Sequence, residues 1–275
     1  MRLLIYLLLL LSVSTYGQTV EYSATQTAWR IGVNARYGNP PDWQGSTRSY
    51  RHLDSLVAAG TDVAENTRER GIAYLKHGDY DRAVQYYERA CQLDPKIHGY
   101  VGWVYLDYMR DYPRALHHLN AYDSLTARPH DSVGDNPVAF LKGRAYAQMG
   151  DYTKAIDLYS FAIRNIEESV GAEWVNYLYY VARGVAYQKT GQLRPALADF
   201  DNALSNYPQS AMAHYHRGRA LQQLGRLADA RTAYTDAHFF LKAKPIERDV
   251  YFEHVDAVYE DDIETALSSL KPPTR

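Results

Sequence analysis

The chain has one cysteine among its 275 residues, so no disulfide can form within it. Positive charge is not in excess either, because 30 Lys and Arg stand against 32 Asp and Glu, so a basic surface for nucleic acid is not indicated. The longest apolar run, residues 3–11, is well short of the about 20 residues that span a bilayer as a helix. These deficits argue against a disulfide-stabilised scaffold, a nucleic-acid-binding protein and a membrane-spanning protein.

The first 17 residues have the three parts of a secretory signal peptide. Arg2 precedes the apolar run, and small and polar residues follow it from Ser12 to Gly17. This order predicts cleavage after Gly17, the alternatives being a buried N-terminal helix or an uncleaved anchor. Export together with a single cysteine favours a bacterial periplasm or cell exterior, where hydrophobic packing alone holds the fold.

Motifs that carry chemistry are also missing. The sequence has no Gly-rich phosphate loop, His-Glu-x-x-His, paired cysteines or serine elbow. Cys91 lies inside a predicted amphipathic helix, which favours a small core residue over a nucleophile. His117 and His118 point about 100° apart on a helix, and His214 and His216 are also poorly spaced for one ion. We therefore expect no catalytic residue, no bound metal and no cofactor.

What the sequence does contain is a repeat. A glycine is followed by a second glycine after seven residues, by alanines after twelve and nineteen, and by an aromatic residue between the two alanines. The four complete sets are Gly71, Gly78, Ala83, Tyr87 and Ala90; Gly143, Gly150, Ala155, Tyr159 and Ala162; Gly184, Gly191, Ala196, Phe200 and Ala203; and Gly218, Gly225, Ala230, Tyr234 and Ala237.

Each set predicts a helix, a tight turn and a second helix. The first glycine allows the second helix to approach closely, and the second glycine can take the left-handed conformation that ends a helix. The two alanines lie on one face of the second helix, and the aromatic residue between them is expected to fill the space toward the neighbouring hairpin. An irregular fifth copy surrounds Ala115, with Leu119 and Tyr122 at its aromatic and alanine positions.

These offsets resemble the tetratricopeptide repeat, a helix–turn–helix of about 34 residues, over about 64–242. The resemblance implies an all-α fold, a right-handed α-solenoid of about five helical hairpins with a C-terminal capping helix. The expected divisions are a signal peptide (1–17), a partly irregular N-terminal arm (18–61), repeats over 62–244 (about 64–97, 98–128, 136–169, 177–210 and 211–244) and a C-terminal capping helix with its tail (245–275).

Two further helices are predicted outside the repeats. A short one runs from about Tyr50 to Ala59, within the N-terminal arm. The capping helix runs from about Arg248 to Leu270 and has an apolar stripe. Its acidic residues, Asp256 among them, are expected to lie on a solvated face rather than in a metal site.

In a superhelix of this resemblance, the first helix of each hairpin lines a concave groove. Aromatic residues beside arginines would suit an extended peptide with an occasional carboxylate. The alternative is that these are ordinary solvated residues. The candidate peptide-binding residues are Arg68, Ile72, Phe140, Arg144, Gln148, Val181, Gln188, Tyr215, Arg219 and Gln222.

A basic residue precedes the first glycine of every complete set: Arg70, Lys142, Arg183 and Arg217. Four such residues at one repeat position favour ion pairs with acidic residues of adjacent helices. A row facing a ligand is the alternative.

The sequence thus predicts a non-catalytic scaffold of the cell envelope or exterior, with another protein or a peptide as its partner and no nucleic acid. The alternative is a carbohydrate- or cell-wall-binding accessory protein that stacks exposed rings on sugars. Trp29, Trp43 and Trp174 lie outside the repeat pattern and keep this alternative open.

Overall fold

The structure, a computed structural model, describes residues 44–126, 131–243 and 255–270. The predicted signal peptide, Trp29, Trp43 and most of the N-terminal arm lie outside these residues. The described helices are α1 (Thr47–Ala58), α2 (Val63–Lys76), α3 (Tyr80–Leu93), α4 (His98–Asp107), α5 (Tyr112–Asp123), α6 (Val138–Gln148), α7 (Tyr152–Ser169), α8 (Tyr177–Lys189), α9 (Leu193–Asn206), α10 (Ala211–Gln223), α11 (Leu227–Ala243) and α12 (Glu260–Ser269).

Short segments complete the described chain. Two-residue strands, β1 (Ser132–Val133) and β2 (Asn136–Pro137), pair antiparallel between α5 and α6. Turns of 3₁₀ helix precede α4 (Pro95–Ile97) and α8 (Ala172–Trp174). Within the described ranges, no helix combines the length and the apolar character that crossing a bilayer would require.

The described residues divide into two compact units, up to Tyr87 and from Glu88 onward, with the division inside α3. In the first unit α1 packs against α2, in agreement with the short helix predicted before the repeats. The ring of Tyr74 stacks between those of Tyr50 and Tyr86, with centroids 5.2 and 5.3 Å away. The guanidinium of Arg70 lies 4.1 Å from the centroid of Tyr50.

In the second unit the helices pack in chain order. The hairpins α4–α5, α6–α7, α8–α9 and α10–α11 stack on one another, and α12 packs on α11. With α2–α3 they make five hairpins and a capping helix, which confirms the all-helical repeat fold predicted from the glycine and alanine spacing.

The aromatic residue of a complete repeat packs on the glycine of its own hairpin as well as toward the next hairpin, where the Phe200 ring lies 6.0 Å from that of His216. A Cβ added to Gly184 would lie 2.6 Å from Cε1 of Phe200, so the ring fills the place of a missing side chain on the first helix of its own hairpin. Gly143 and Tyr159 have the same arrangement. The small residue therefore accepts a ring from its own hairpin.

The four basic residues that precede the repeat glycines form ion pairs with the adjacent helix, as predicted. The paired atoms are 2.6 to 3.2 Å apart: Arg70 with Asp54, Lys142 with Asp123, Arg183 with Asp199, and Arg217 with Asp201.

The capping helix is shorter than predicted. It begins at Glu260, and residues 255–259 are not helical; residues 244–254 lie outside the described ranges. The carboxylate of Asp262 accepts a hydrogen bond from the backbone N–H of Tyr259 at 3.0 Å, which marks the first turn. Acidic side chains there favour a helix N-terminus. The expectation that Asp256 lies on a solvated helix face is wrong.

Candidate functional site

The first helices of four successive hairpins enclose a cavity of about 590 Å³, which we call the groove cavity. Its walls come from α4, α6, α8 and α10 and from Tyr152 and Tyr159 of α7, and residues 135–136 and 255–256 also line it. Phe140 and Val181 form an apolar floor and are 5% and 1% exposed. The ring of Phe140 lies 4.0 Å from that of Tyr179, centroid to centroid.

Arg144 of α6 is fixed on one side of the groove cavity. Its guanidinium donates to both carboxylate oxygens of Asp107 on α4, at 2.6 and 3.3 Å. The Asp107 side chain is 1% exposed, and a buried carboxylate requires such a partner. This pair anchors Arg144 in one orientation while part of its charge remains directed toward the cavity.

A carboxylate of the chain itself lies among the basic groups of the groove cavity. Burial raises the pKa of Asp256 to about 6, although the positive charges of Arg144, Lys189 and Arg219 act in the opposite direction. The imidazole Nε2 of His216 lies 3.3 Å from the backbone carbonyl oxygen of Asp256. The segment is therefore held through its backbone, whereas the charge of Asp256 is disfavoured there, because desolvation outweighs the three cations.

Lys189 and Arg219 differ from Arg144 in their pairing. Among the residues that the structure describes, neither has a carboxylate within ion-pair distance. Lys189 is exposed at the rim of the groove cavity, and Arg219 lies 5.9 Å from the centroid of the Tyr215 ring. Asp135 also lines the cavity, so three carboxylates stand with Arg144 and Lys189, and Arg219 lies nearby. Lys189 and Arg219 can therefore pair with carboxylates of a ligand.

Burial also determines the protonation of His216. It is 5% exposed, and desolvation lowers its pKa to about 4. The neutral imidazole is parallel to the ring of Phe200, with centroids 6.0 Å apart. His216 therefore acts at neutral pH as a packed, uncharged hydrogen-bond donor beneath the C-terminal segment.

Of the ten residues predicted to bind a peptide, four line the groove cavity together: Phe140, Arg144, Gln148 and Val181. Gln188 is buried and donates to Oε1 of Gln223 at 3.1 Å.

The other predicted residues lie elsewhere. Tyr215 packs against Tyr234, with ring centroids 5.7 Å apart. Gln222 donates to Oγ of Ser269 at 3.1 Å and so contacts the capping helix. Arg68 and Ile72 belong to the first unit, where Arg68 pairs with two glutamates and Ile72 is 8% exposed.

Trp103, Asp107 and Asp256 are among the lining residues that the sequence did not predict. Trp103 and Asp107 belong to α4 in the irregular second repeat, where glycine spacing gave no register for an inward face. Asp256 was assigned to a helix that begins four residues later. A signal for Asp256 existed in the three consecutive acidic residues at 260–262, which mark a helix start.

The carbohydrate alternative depended on exposed tryptophans. Of the three that the sequence suggested, Trp174 falls within the described residues and is 71% exposed. One exposed ring does not form a sugar-binding platform, so the described residues give this alternative no support.

Comparison with known proteins agrees with the fold. Family models of the tetratricopeptide repeat match residues 64–97, 137–164 and 181–240. A stretch of 85 residues is 38% identical to tetratricopeptide repeat protein 28 of Mus musculus and covers 31% of this chain but 3% of that protein. The chain therefore contains tetratricopeptide repeats, as their spacing predicted.

Solved structures with the same fold are distant in sequence. Cut9–Hcn1, an APC/C hetero-tetramer, matches with a TM-score of 0.57 at 14% identity, over 80% of this chain and 38% of that one. PilW, a type IV pilus biogenesis factor, matches with 0.55 at 18%, over 75% and 86%. MamA of Desulfovibrio magneticus RS-1 matches with 0.55 at 17%, over 66% and 96%. These similarities define the class, an all-helical tetratricopeptide repeat solenoid.

Proposed function

We propose that the chain is a non-catalytic scaffold that binds an extended segment of another protein in the groove cavity. One observation carries this proposal: the carboxylate of Asp256 already lies between walls that supply Arg144 and Lys189, with Arg219 nearby. An acidic side chain of a partner would meet the same charges. Extended peptides bind such sites through a few side-chain pockets and backbone hydrogen bonds.

The C-terminal segment is, in this proposal, a competitor for the partner. Residues 255–256 form part of the lining of the groove cavity, so a partner peptide must displace them or bind beside them. An intramolecular competitor lowers the apparent affinity by the fraction of molecules in which the cavity is closed. The scaffold therefore binds most tightly when this segment is released.

We further propose that the scaffold acts in the cell envelope or outside the cell. The order of Arg2, the apolar run 3–11 and the small residues before Gly17 supports an exported chain. Expression in a bacterial host with N-terminal sequencing of the product tests this part. Recovery of a chain that begins at Gln18 from the periplasmic fraction is expected, and a chain that retains Met1 in the cytoplasm would contradict it.

Peptide selection tests the groove. A displayed library of random peptides is selected on the full chain, and selected peptides are measured by fluorescence polarisation. We expect acidic peptides, and a loss of at least tenfold in affinity for the double variant Lys189→Ala/Arg219→Ala, because each charge-assisted hydrogen bond contributes about 1.5–3 kcal/mol. The matched control is Lys154→Ala/Arg226→Ala, two cations that form exposed pairs outside the groove cavity. Equal affinities for the two double variants would reject the groove assignment.

A further inference from the structure

Three metal-ligating side chains that the groove does not use meet in the second unit. Cys91 comes from α3, His98 from the first residue of α4 and His118 from α5. Cys91 and His118 are 3% and 1% exposed, whereas His98 is half-buried. One ligand atom of each side chain lies within 4.8 Å of the other two.

The separations are close to those around a tetrahedral metal ion. Sγ of Cys91 lies 3.9 Å from Nδ1 of His118, and the Nδ1 atoms of His98 and His118 are 2.8 Å apart. Bond lengths of about 2.3 Å to sulfur and about 2.0 Å to nitrogen place tetrahedral S and N ligands about 3.6 Å apart, and two N ligands about 3.3 Å apart. These two separations need changes of about 0.3 and about 0.5 Å to reach that geometry, and the third, from Sγ of Cys91 to a ring nitrogen of His98, lies within 4.8 Å.

The surroundings of His118 fix its ring in the orientation that a ligand needs. Nε2 lies 3.1 Å from Oε1 of Glu88, and because a carboxylate only accepts, Nε2 carries the proton. The neutral ring therefore presents its lone pair at Nδ1, toward Cys91 and His98. The Tyr105 hydroxyl donates to the same Glu88 oxygen at 3.3 Å. A carboxylate behind a histidine is the usual outer arrangement of metal sites.

We propose that Cys91, His98 and His118 bind one thiophilic transition-metal ion, with Zn²⁺ as the representative, through a thiolate and two imidazole nitrogens. Water completes the tetrahedron on the half-exposed side of His98. Thiolate and imidazole select zinc-like ions over Mg²⁺ and Ca²⁺, which take oxygen ligands. On binding, a metal–sulfur bond replaces the S–H bond of Cys91, and the proton is released to solvent. The Nδ1 proton that His98 donates to His118 also leaves to solvent while Nε2 of His98 takes up a proton, which frees the Nδ1 lone pair of His98 for the metal.

Cobalt substitution tests the site on the full chain. The protein is treated with a chelator and titrated with Co²⁺, which takes the place of zinc and reports a thiolate ligand through a charge-transfer absorption band. We expect the band to saturate at one ion per chain and to disappear when Zn²⁺ is added. A band that does not saturate at one equivalent, or no band at all, would overturn the proposal.

Variants separate ligands from neighbours. Cys91→Ala should abolish the band, and His98→Gln, at a half-exposed position that tolerates change, should weaken Co²⁺ binding at least tenfold. His117→Gln is the matched control, since this exposed neighbour of His118 is not in the cluster. Glu88→Gln should keep the band but lower the affinity by 10–100-fold, as a positioning residue does.

The competing explanation is a set of hydrogen bonds among the three side chains with no ion. If that explanation is correct, Cys91→Ala and His98→Gln bind Co²⁺ no differently from the unsubstituted chain. That outcome would refute the proposal. Thermal unfolding of the metal-free variants, followed by circular dichroism, checks that a variant that no longer binds metal is still folded. A metal-dependent rise in midpoint is expected for the unsubstituted chain and for His117→Gln, but not for Cys91→Ala.

Discussion

At Gly184 the ring of Phe200 lies so close that a Cβ would come within 2.6 Å of its Cε1. Gly184→Ala should destabilise the chain by about 1–3 kcal/mol, because the helix backbone or the ring must move to relieve the overlap. Urea unfolding monitored by circular dichroism measures the change. Combining it with Phe200→Leu, which removes the overlapping ring, should cost less than the sum of the two single changes. Strict additivity would show that the ring and the glycine are not coupled.

The neutral state of His216 gives a second prediction at the residue scale. Its pKa is about 4 in the folded chain and about 6.5 unfolded, so the unfolded chain takes up the proton first. The stabilisation is complete above pH 6.5 and is lost as the pH falls toward 4, by about 3 kcal/mol. His216→Gln keeps a donor for the Asp256 carbonyl and should flatten the fall. Parallel pH profiles of unfolding free energy for the two proteins would contradict this.

At the scale of elements, a buried ion pair attaches the two helices of the α8–α9 hairpin to each other. Arg183 of α8 donates to both oxygens of Asp199 on α9, at 2.6 and 2.8 Å, and the Asp199 side chain is 4% exposed. Its removal would leave the guanidinium with an uncompensated charge in a half-buried position. The pair therefore fixes the register of α8 on α9 more than it adds stability.

Mutations of this pair are expected to be strongly non-additive. Asp199→Ala should destabilise the chain by about 3–5 kcal/mol, whereas Arg183→Met/Asp199→Leu should recover most of that loss. Chemical unfolding of the three proteins measures both. The exposed pair Arg226 and Asp229 is the matched control, and its disruption should cost less than about 1 kcal/mol. A double variant as unstable as Asp199→Ala would disprove the expected compensation.

Elements that recur at the repeat spacing could be predicted, whereas the start of α12 and the inward face of α4 could not. Local spacing predicted the hairpins, because Gly184 and Phe200 belong to one repeat and recur with it. The start of α12 depends on a cap, Asp262 on Tyr259, which an apolar stripe does not reveal. The groove residues of α4 were not predicted, because no glycine at the repeat spacing shows which face of this helix points inward.

Contacts between distant positions were beyond the sequence reasoning. His118 was considered with its neighbour His117, yet its ligand-like partners are 20 and 27 positions away in the chain. The groove gives a second example. Its first helices were identified correctly, but the position of Asp256 depends on a tertiary contact between the C-terminal segment and His216, 40 positions away. Four of the predicted groove residues line one cavity, and their role in binding stays a prediction.

For the molecule as a whole, we expect the groove cavity and the C-terminal segment that lines it to make ligand binding depend on pH. The pKa of Asp256 is raised to about 6 by burial, from about 3.9 in an exposed chain. Its ionised form is therefore less favourable in the cavity than in solvent. Docking is strongest at low pH and weakens as the pH rises through 6, despite the charges of Arg144, Lys189 and Arg219.

We therefore expect the affinity for a selected acidic peptide to rise by about tenfold between pH 5 and 7.5 as the segment is released. The peptide carboxylates are expected to pair with Lys189 at the exposed rim of the cavity, away from the burial that raises the pKa of Asp256, so they are ionised throughout this interval. His216, with its pKa near 4, stays mainly neutral while the segment is docked. Fluorescence polarisation across the interval measures the change. Asp256→Asn cannot ionise and should give a flat profile, whereas Asp261→Asn, an exposed change on α12, should keep the slope. The same slope in Asp256→Asn and in the unsubstituted chain would mean that the segment does not compete for the groove.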